Sequence, residues 1–220
     1  INVTNYYYVV EYFIASLIAA ICACLTFLIA RRFLNVNQAL VLTFVFAFCT
    51  SLWSVAGRAL WMHGPLMLCL LITIYLLTKE EINVKNVISL GMLLAFSFII
   101  RPTGLIFFCC ILLYFFLVNK RYALIYLSSG LAIFTFFFVL NFSIYGTLFS
   151  PYYQYYVNIL SGTGHPNFFE ALAGNLFSPG KGLLIFSPIL IFSAIGIYIK
   201  IKTKEFSKLD FSLLLIFVLY

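Results

Sequence analysis

Residues 141–183 read NFSIYGTLFSPYYQYYVNILSGTGHPNFFEALAGNLFSPGKGL, the one long interval of this chain that cannot be a membrane span. Glycine and proline recur along it, and its only Lys or Arg is Lys181. Disordered segments are poor in aromatic residues, whereas this interval is rich in Tyr and Phe. We therefore predict that residues 141–182 form an ordered loop on a membrane surface, where Tyr is favoured.

The rest of the chain has the composition of a membrane protein. Of its 220 residues, 65% are apolar and 9% are charged, and the mean hydropathy is +1.12. Soluble domains are nearer half apolar and a quarter charged. The cysteines all lie inside apolar runs, which favours buried thiols over a disulfide framework or a metal site. We predict an all-α, polytopic transmembrane helix bundle in which residues 1–220 are part of a single transmembrane domain.

Eight apolar runs divide the chain, and they predict about seven complete spans plus a truncated eighth. They cover residues 9–30, 39–56, 60–77, 87–100, 103–118, 122–140, 183–199 and 211–220. The fourth and fifth runs allow either one kinked helix or a tight hairpin. A single helix over residues 87–118 would be about 48 Å long, well beyond a hydrocarbon core of about 30 Å. Pro102 also disfavours helix at the residue before it, so we predict the hairpin.

The distribution of Lys and Arg supports the hairpin and orients the chain. With the hairpin, one side of the membrane receives ten of these cations and the other receives three, which are Arg58, Arg101 and Lys181. Cytoplasmic loops carry the excess of Lys and Arg, so the loop at 141–182 is predicted to be extracytoplasmic. The net charge of +7 is therefore a topology signal and does not indicate a nucleic-acid partner.

The three outer cations are the candidate site residues. Each lies beside glycine or proline, in GRALWMHGP for Arg58, RPTG for Arg101 and SPGKG for Lys181. Cations next to glycines that expose the backbone suit a phosphate or another anion. We predict that all three converge on one anionic site. His63, in the same stretch as Arg58, is a candidate general acid or base, although a structural role at a helix start stays open.

Four segments occur in an order that resembles a known family. They are SLWSVAGRALWMHGPLMLCLLITIYLL (51–77), FIIRPTGLIFFCCILLYFF (98–116), LNFSIYGTLFSPYY (140–153) and GNLFSPGKGLLIFSPILIF (174–192). Together the chain resembles the GT-C-type membrane glycosyltransferases, in the branch of the protein O-mannosyltransferases and aminoarabinose-transferase-like enzymes of bacterial membranes. The resemblance covers roughly residues 51–192.

The resemblance implies transfer of a sugar from a polyprenyl-phosphate-linked donor to an acceptor at the outer face of a bacterial inner membrane. Such enzymes typically use an acid in their first external loop, and no residue here matches it. The resemblance thus implies a fragment, inactive by itself, whose catalytic acid lies upstream of Ile1. Membrane lipid and the lipid-linked sugar are the implied partners. No cofactor is identifiable, and the metal requirement and the acceptor stay open.

Two alternatives belong to other functional classes. A transporter or flippase for a lipid-linked saccharide would place ionisable residues near mid-membrane and show repeated halves, whereas these spans hold essentially no central charge and no internal repeat. A non-catalytic membrane subunit is compatible with the missing acid.

Within the long loop, residues 168–176 predict a short helix with Asn167 as its N-cap and Glu170 at its third position.

Overall fold

The computed structural model describes residues 3–50, 52–79, 81–151, 168–180 and 182–219, and these contain helices but no strand. The chain forms two compact units, Ile1–Leu131 with Ser207–Tyr220 (unit 1) and Ala132–Phe206 (unit 2). All-helical structure is confirmed for the described residues. The helices are α1 (Val3–Ala30), α2 (Val36–Phe48), α3 (His63–Leu77), α4 (Val84–Ile100), α5 (Gly104–Val118), α6 (Lys120–Tyr145), α7 (Phe168–Phe177), α8 (Leu183–Phe186), α9 (Leu190–Lys202) and α10 (Lys208–Leu219).

The second apolar run is not one helix, contrary to the sequence prediction for residues 39–56. Helix α2 ends at Phe48, and a separate π-helical turn follows at Leu52–Ala56. The hydroxyl of Thr50 donates to the Phe46 carbonyl at 2.6 Å and accepts from the Leu52 amide at 3.3 Å. Local hydrogen bonds of this kind compete with the regular helical pattern. The composition of the run is apolar on both sides of Thr50, so it did not predict this break.

The hairpin predicted at residues 87–118 is confirmed. Helices α4 and α5 are separate and pack against each other across the turn at 101–103. The Ser97 hydroxyl donates to the Leu94 carbonyl at 2.6 Å and lies 3.4 Å from the carbonyl oxygen of Gly104. A Cβ atom at position 104 would overlap the backbone of Ser97. Glycine therefore allows α5 to begin directly against the end of α4.

Unit 1 has two packed regions. In the first, Cys22 of α1 meets Leu52 and Ala56 of the π-helical turn, with Met67 of α3 alongside. In the second, α6 lies so close to α4 that a Cβ atom at Gly91 would overlap the Tyr126 carbonyl and the Ser129 hydroxyl. The Tyr126 hydroxyl donates to the Phe108 carbonyl at 3.1 Å, and the two rings stack at 4.7 Å. Close packing of this kind fixes the direction of each helix.

The long loop begins later than predicted. Residues 141–145 continue α6, because the Asn141 side chain is buried and donates to the Phe137 carbonyl at 2.9 Å. The helix ends at Gly146, whose φ of +68° is a left-handed conformation typical of a glycine that terminates a helix. A polar residue whose side chain is hydrogen-bonded within its own helix does not end that helix.

Unit 2 contains the short helix that the sequence predicted. Helix α7 covers Phe168–Phe177 and has Glu170 in its first turn, whereas Asn167 lies outside the described residues. The seventh apolar run, predicted as one span over residues 183–199, is instead divided between α8 and α9. Pro188 stands between them and cannot donate a helical hydrogen bond, which accounts for the division.

In the part of the chain that the structure describes, two helices are long and apolar enough to cross a membrane. They are Tyr7–Ala30 within α1 and Lys120–Tyr145, which is α6. Helices α2 to α5 are apolar but have 13 to 17 residues, below the roughly 20 that a perpendicular span requires. A bundle of seven spans is therefore not confirmed.

Candidate functional site

At one end of unit 1, hydrogen bonds join helix ends that are rich in Lys and Arg. We call this cluster the basic end. The Arg32 guanidinium donates to the Tyr75 carbonyl and to the Thr78 hydroxyl, each at 2.6 Å, and lies 4.2 Å from the centre of the Tyr75 ring. The Tyr122 hydroxyl donates to the Ile82 carbonyl at 3.2 Å. The Lys208 ammonium donates to the carbonyl of Leu117 at 2.7 Å. The basic end thus comprises residues 31–34, 75–79, 81–85, 117–122 and 208.

The other ends of these helices form a second cluster, which we call the site end. It comprises Glu11, residues 57–63 and residues 101–104. The Glu11 carboxylate accepts from the Leu60 amide at 3.1 Å, and the Ser16 hydroxyl donates to the Gly57 carbonyl at 3.2 Å. Both bonds join α1 to the loop before α3. The loop is therefore anchored on α1, and it presents His63, at the start of α3, to the turn after α4.

The two ends differ strongly in charge. Two Lys or Arg residues lie at the site end, which are Arg58 and Arg101. Seven lie at the basic end, which are Arg31, Arg32, Lys79, Lys85, Lys120, Arg121 and Lys208. The asymmetry inferred from the sequence is thus present in the three-dimensional arrangement of unit 1.

The central feature of the site end is a pair formed by Arg101 and His63. The guanidinium Nη1 of Arg101 lies 3.0 Å from His63 Nδ1. A guanidinium has donors and no acceptor, so in this pair Nδ1 accepts and carries no proton. The imidazole is then neutral, with its proton on Nε2. The His63 side chain is exposed and Arg101 is half-buried, so an approaching ligand can reach the pair.

The environment of His63 favours this neutral form. Partial burial of the ring, together with the positive charge of Arg101, lowers the pKa of His63 below its usual 6.5. Both causes disfavour the imidazolium. Glu11, the described carboxylate of the site end, is bound to the Leu60 amide. At neutral pH the pair therefore carries one positive charge.

The other two predicted site residues are placed differently. Arg58 is exposed in the loop that also contains His63, and no described contact joins its guanidinium to the pair. Lys181 lies outside the described residues, so its predicted convergence with Arg58 and Arg101 stays a prediction. Of the four predicted residues, the structure brings together Arg101 and His63, which are 38 positions apart in the chain.

Two further residues of the site end were not predicted. Thr103, in the turn after Arg101, has a buried hydroxyl that is without a hydrogen-bond partner among the described residues. Trp61 is exposed, and its ring centre lies 6.4 Å from that of His63. The signal for Thr103 was present in the motif RPTG, but only the packing of α5 against α4 shows that its hydroxyl is enclosed.

Comparison of the chain with protein-family models, with curated proteins and with solved structures finds no match.

Proposed function

We propose that this chain is part of an integral-membrane glycosyltransferase that moves a sugar from a polyprenyl-phosphate-linked donor to an acceptor at the outer membrane face. In this proposal Arg101 and His63 hold the carrier phosphate. The observation that carries the proposal is the pair itself, a guanidinium and an imidazole at 3.0 Å on the end of unit 1 that is poor in cations.

Embedding in a membrane is supported by the surface of α1. Its membrane-capable segment is only 17% buried, and large apolar side chains such as Phe13 and Leu17 are exposed. Extended exposed apolar surface marks a membrane or protein interface. We propose that the shorter helices α2 to α5 complete the bundle through tilt, local thinning of the bilayer and contact with other helices.

The charge asymmetry supports the orientation. Cytoplasmic ends of spans carry the excess of Lys and Arg, so we propose that the basic end lies in the cytoplasm and the site end at the outer face. Arg101 then lies at headgroup depth, where a lipid phosphate is located. A guanidinium binds a phosphate through charge-assisted hydrogen bonds, and positive charge stabilises a departing phosphate in the transition state.

The transferase is favoured over a flippase by the position of the ionisable residues. In unit 1 the described charges lie at the two helix ends, whereas transporters place substrate-binding charges near the membrane midplane. The site end also contains the Glu11 carboxylate, which is hydrogen-bonded to the loop before α3. Glu11 has no acidic neighbour in the sequence.

The test is sugar transfer by the whole protein carrying Arg101→Ala, with Lys85→Ala as the matched control. Lys85 is exposed in the first turn of α4, and Arg101 directly follows the last turn. Each substitution therefore removes one cation, at opposite ends of the same helix. A hydrogen bond to a charged group contributes about 1.5–3 kcal/mol, so Arg101→Ala should reduce donor use about ten- to hundred-fold. Arg101→Lys should be milder if a point charge suffices.

Transfer and lipid translocation are measured separately in proteoliposomes. Loss of transfer in Arg101→Ala, with Lys85→Ala unaffected, supports the proposal. If the unsubstituted protein translocates the lipid without transferring sugar, and Arg101→Ala abolishes translocation, the result indicates a flippase. Equal activity of Arg101→Ala and the unsubstituted protein contradicts the proposed phosphate site.

A further inference from the structure

The Arg101–His63 pair has a property that a simple cationic anchor lacks. Because Nδ1 must accept from the guanidinium, the pair excludes a proton from that nitrogen and holds one positive charge. A ligand with two negative charges changes this balance, because negative charge near an imidazole favours the imidazolium. The ligand's second charge can therefore be neutralised by one proton taken up from solvent.

Two phosphate species differ in this respect. A phosphodiester carries one negative charge at neutral pH, whereas a phosphomonoester has a second pKa near 6 and carries about −1.5 to −2. In the proposed reaction the lipid-linked donor is a diester and the released carrier is a monoester. The single positive charge of a guanidinium balances the charge of the diester. The two positive charges of a guanidinium and an imidazolium balance the charge of the monoester.

We propose that Arg101 and His63 form a proton-coupled site for a phosphomonoester group. On binding, His63 takes up a proton on Nδ1, and both ring nitrogens become donors. The direct bond from Arg101 to Nδ1 is replaced by bonds from both residues to the phosphate oxygens.

Among the described residues, few charged groups lie around His63. Helix α3 packs against α1, α4 and the π-helical turn. Helix α1 supplies Glu11 and α4 is followed by Arg101, whereas the turn Leu52–Ala56 contains no ionisable residue. Arg58 is in the adjoining loop. Glu11 is held in place by its bond to the Leu60 amide, so its charge is the same with and without ligand. The ligand is therefore the negative charge whose arrival alters the protonation of His63.

This inference rests on the proposed function for the identity of the ligand, but its test needs no transfer activity. The chain has two tryptophans, Trp53 and Trp61. With Trp53→Phe, fluorescence comes from Trp61, whose ring lies 6.4 Å from His63, and an imidazolium at this distance quenches indole emission. A titration between pH ~5 and ~8 then reports the pKa of His63 directly.

The purified protein is titrated in detergent micelles alone, with inorganic phosphate, with polyprenyl phosphate, and with a dialkyl phosphate as the diester. We expect both monoester-type ligands to raise the titration midpoint by about one to three pH units and the diester to leave it nearly unchanged. An effect of polyprenyl phosphate but not of inorganic phosphate also supports the proposal and identifies the lipid as the source of the phosphate.

Two variants connect the signal to the pair. His63→Gln keeps an acceptor and a donor and should show no titration, and Arg101→Gln should lose the ligand-dependent shift. An unchanged midpoint with both monoester ligands, or an equal rise with the diester, overturns the proton coupling. If the midpoint stays fixed while Arg101→Ala still abolishes transfer, the phosphate site stands and only the coupling fails. If the midpoint rises while transfer is normal in Arg101→Ala, the coupling stands and the proposed function fails.

Discussion

At the scale of single residues, the charge of the proposed phosphate site depends on the protonation of His63. The ring is exposed enough to meet a ligand, yet partial burial and the Arg101 charge lower its pKa. A histidine in this state responds to a change of ligand charge near neutral pH. Arg101 alone would provide affinity for any anion, whereas the pair can distinguish anions by charge.

The lowered pKa of His63 also predicts how stability changes with pH. Above about pH 6.5 the imidazole is neutral in both the folded and the unfolded state, so its contribution to the free energy of unfolding is at its maximum. As the pH falls from about 6.5 toward the lower folded pKa, the unfolded state binds the proton first and stability is lost. Thermal unfolding in detergent should therefore show a smaller acid destabilisation in His63→Gln than in the unsubstituted protein. Identical pH profiles of the two proteins would rule out a lowered pKa.

At the scale of helices, close packing of α4 against α6 holds the second packed region of unit 1 together. Gly91→Ala places a methyl group against the Tyr126 carbonyl and the Ser129 hydroxyl, and overpacking of this kind costs about 1–3 kcal/mol. Gly196→Ala in α9 is the matched control, because a Cβ atom there meets nothing within 4 Å. Replacing a helical glycine by alanine should stabilise it by about 0.5–1 kcal/mol.

The readout is the thermal unfolding midpoint of each variant in the same detergent. We expect a lower midpoint for Gly91→Ala and an unchanged or higher one for Gly196→Ala. A Gly91→Ala protein as stable as its parent would show that α4 and α6 do not approach as closely as described.

The sequence predicted the helices better than their ends. The hairpin at Pro102 followed from helix length and proline geometry, and helix α7 followed from its capping pattern. The breaks at Thr50 and Pro188 were missed, because both lie inside runs that are apolar by composition. The sixth apolar run ends before Asn141, which is polar, but the side chain of this residue is hydrogen-bonded within α6. Local hydrogen bonds determine the residue at which such a helix ends. The average hydropathy of a run does not detect these bonds.

At the scale of the whole molecule, charge parity was the most informative pattern in the sequence. It correctly grouped the cations of unit 1 into a basic end and a cation-poor end. The Arg101–His63 pair could not be predicted, since its members lie on different helices and meet only through the packing of α3 against α4. The boundary between the two units was also invisible, because it falls between residues 131 and 132, inside α6.

If the proposed orientation is correct, the site end faces the outside of the membrane, and impermeant cysteine labelling of intact cells distinguishes this orientation from its reverse. Arg58→Cys reports on the site end and Asn119→Cys on the basic end, and both positions are exposed in unit 1. The exposed native cysteines, Cys24, Cys49 and Cys109, are first replaced by serine. We expect position 58 to be labelled in intact cells and position 119 only after the membrane is opened. Labelling of both positions from the same side, or of position 119 alone from outside, would contradict it.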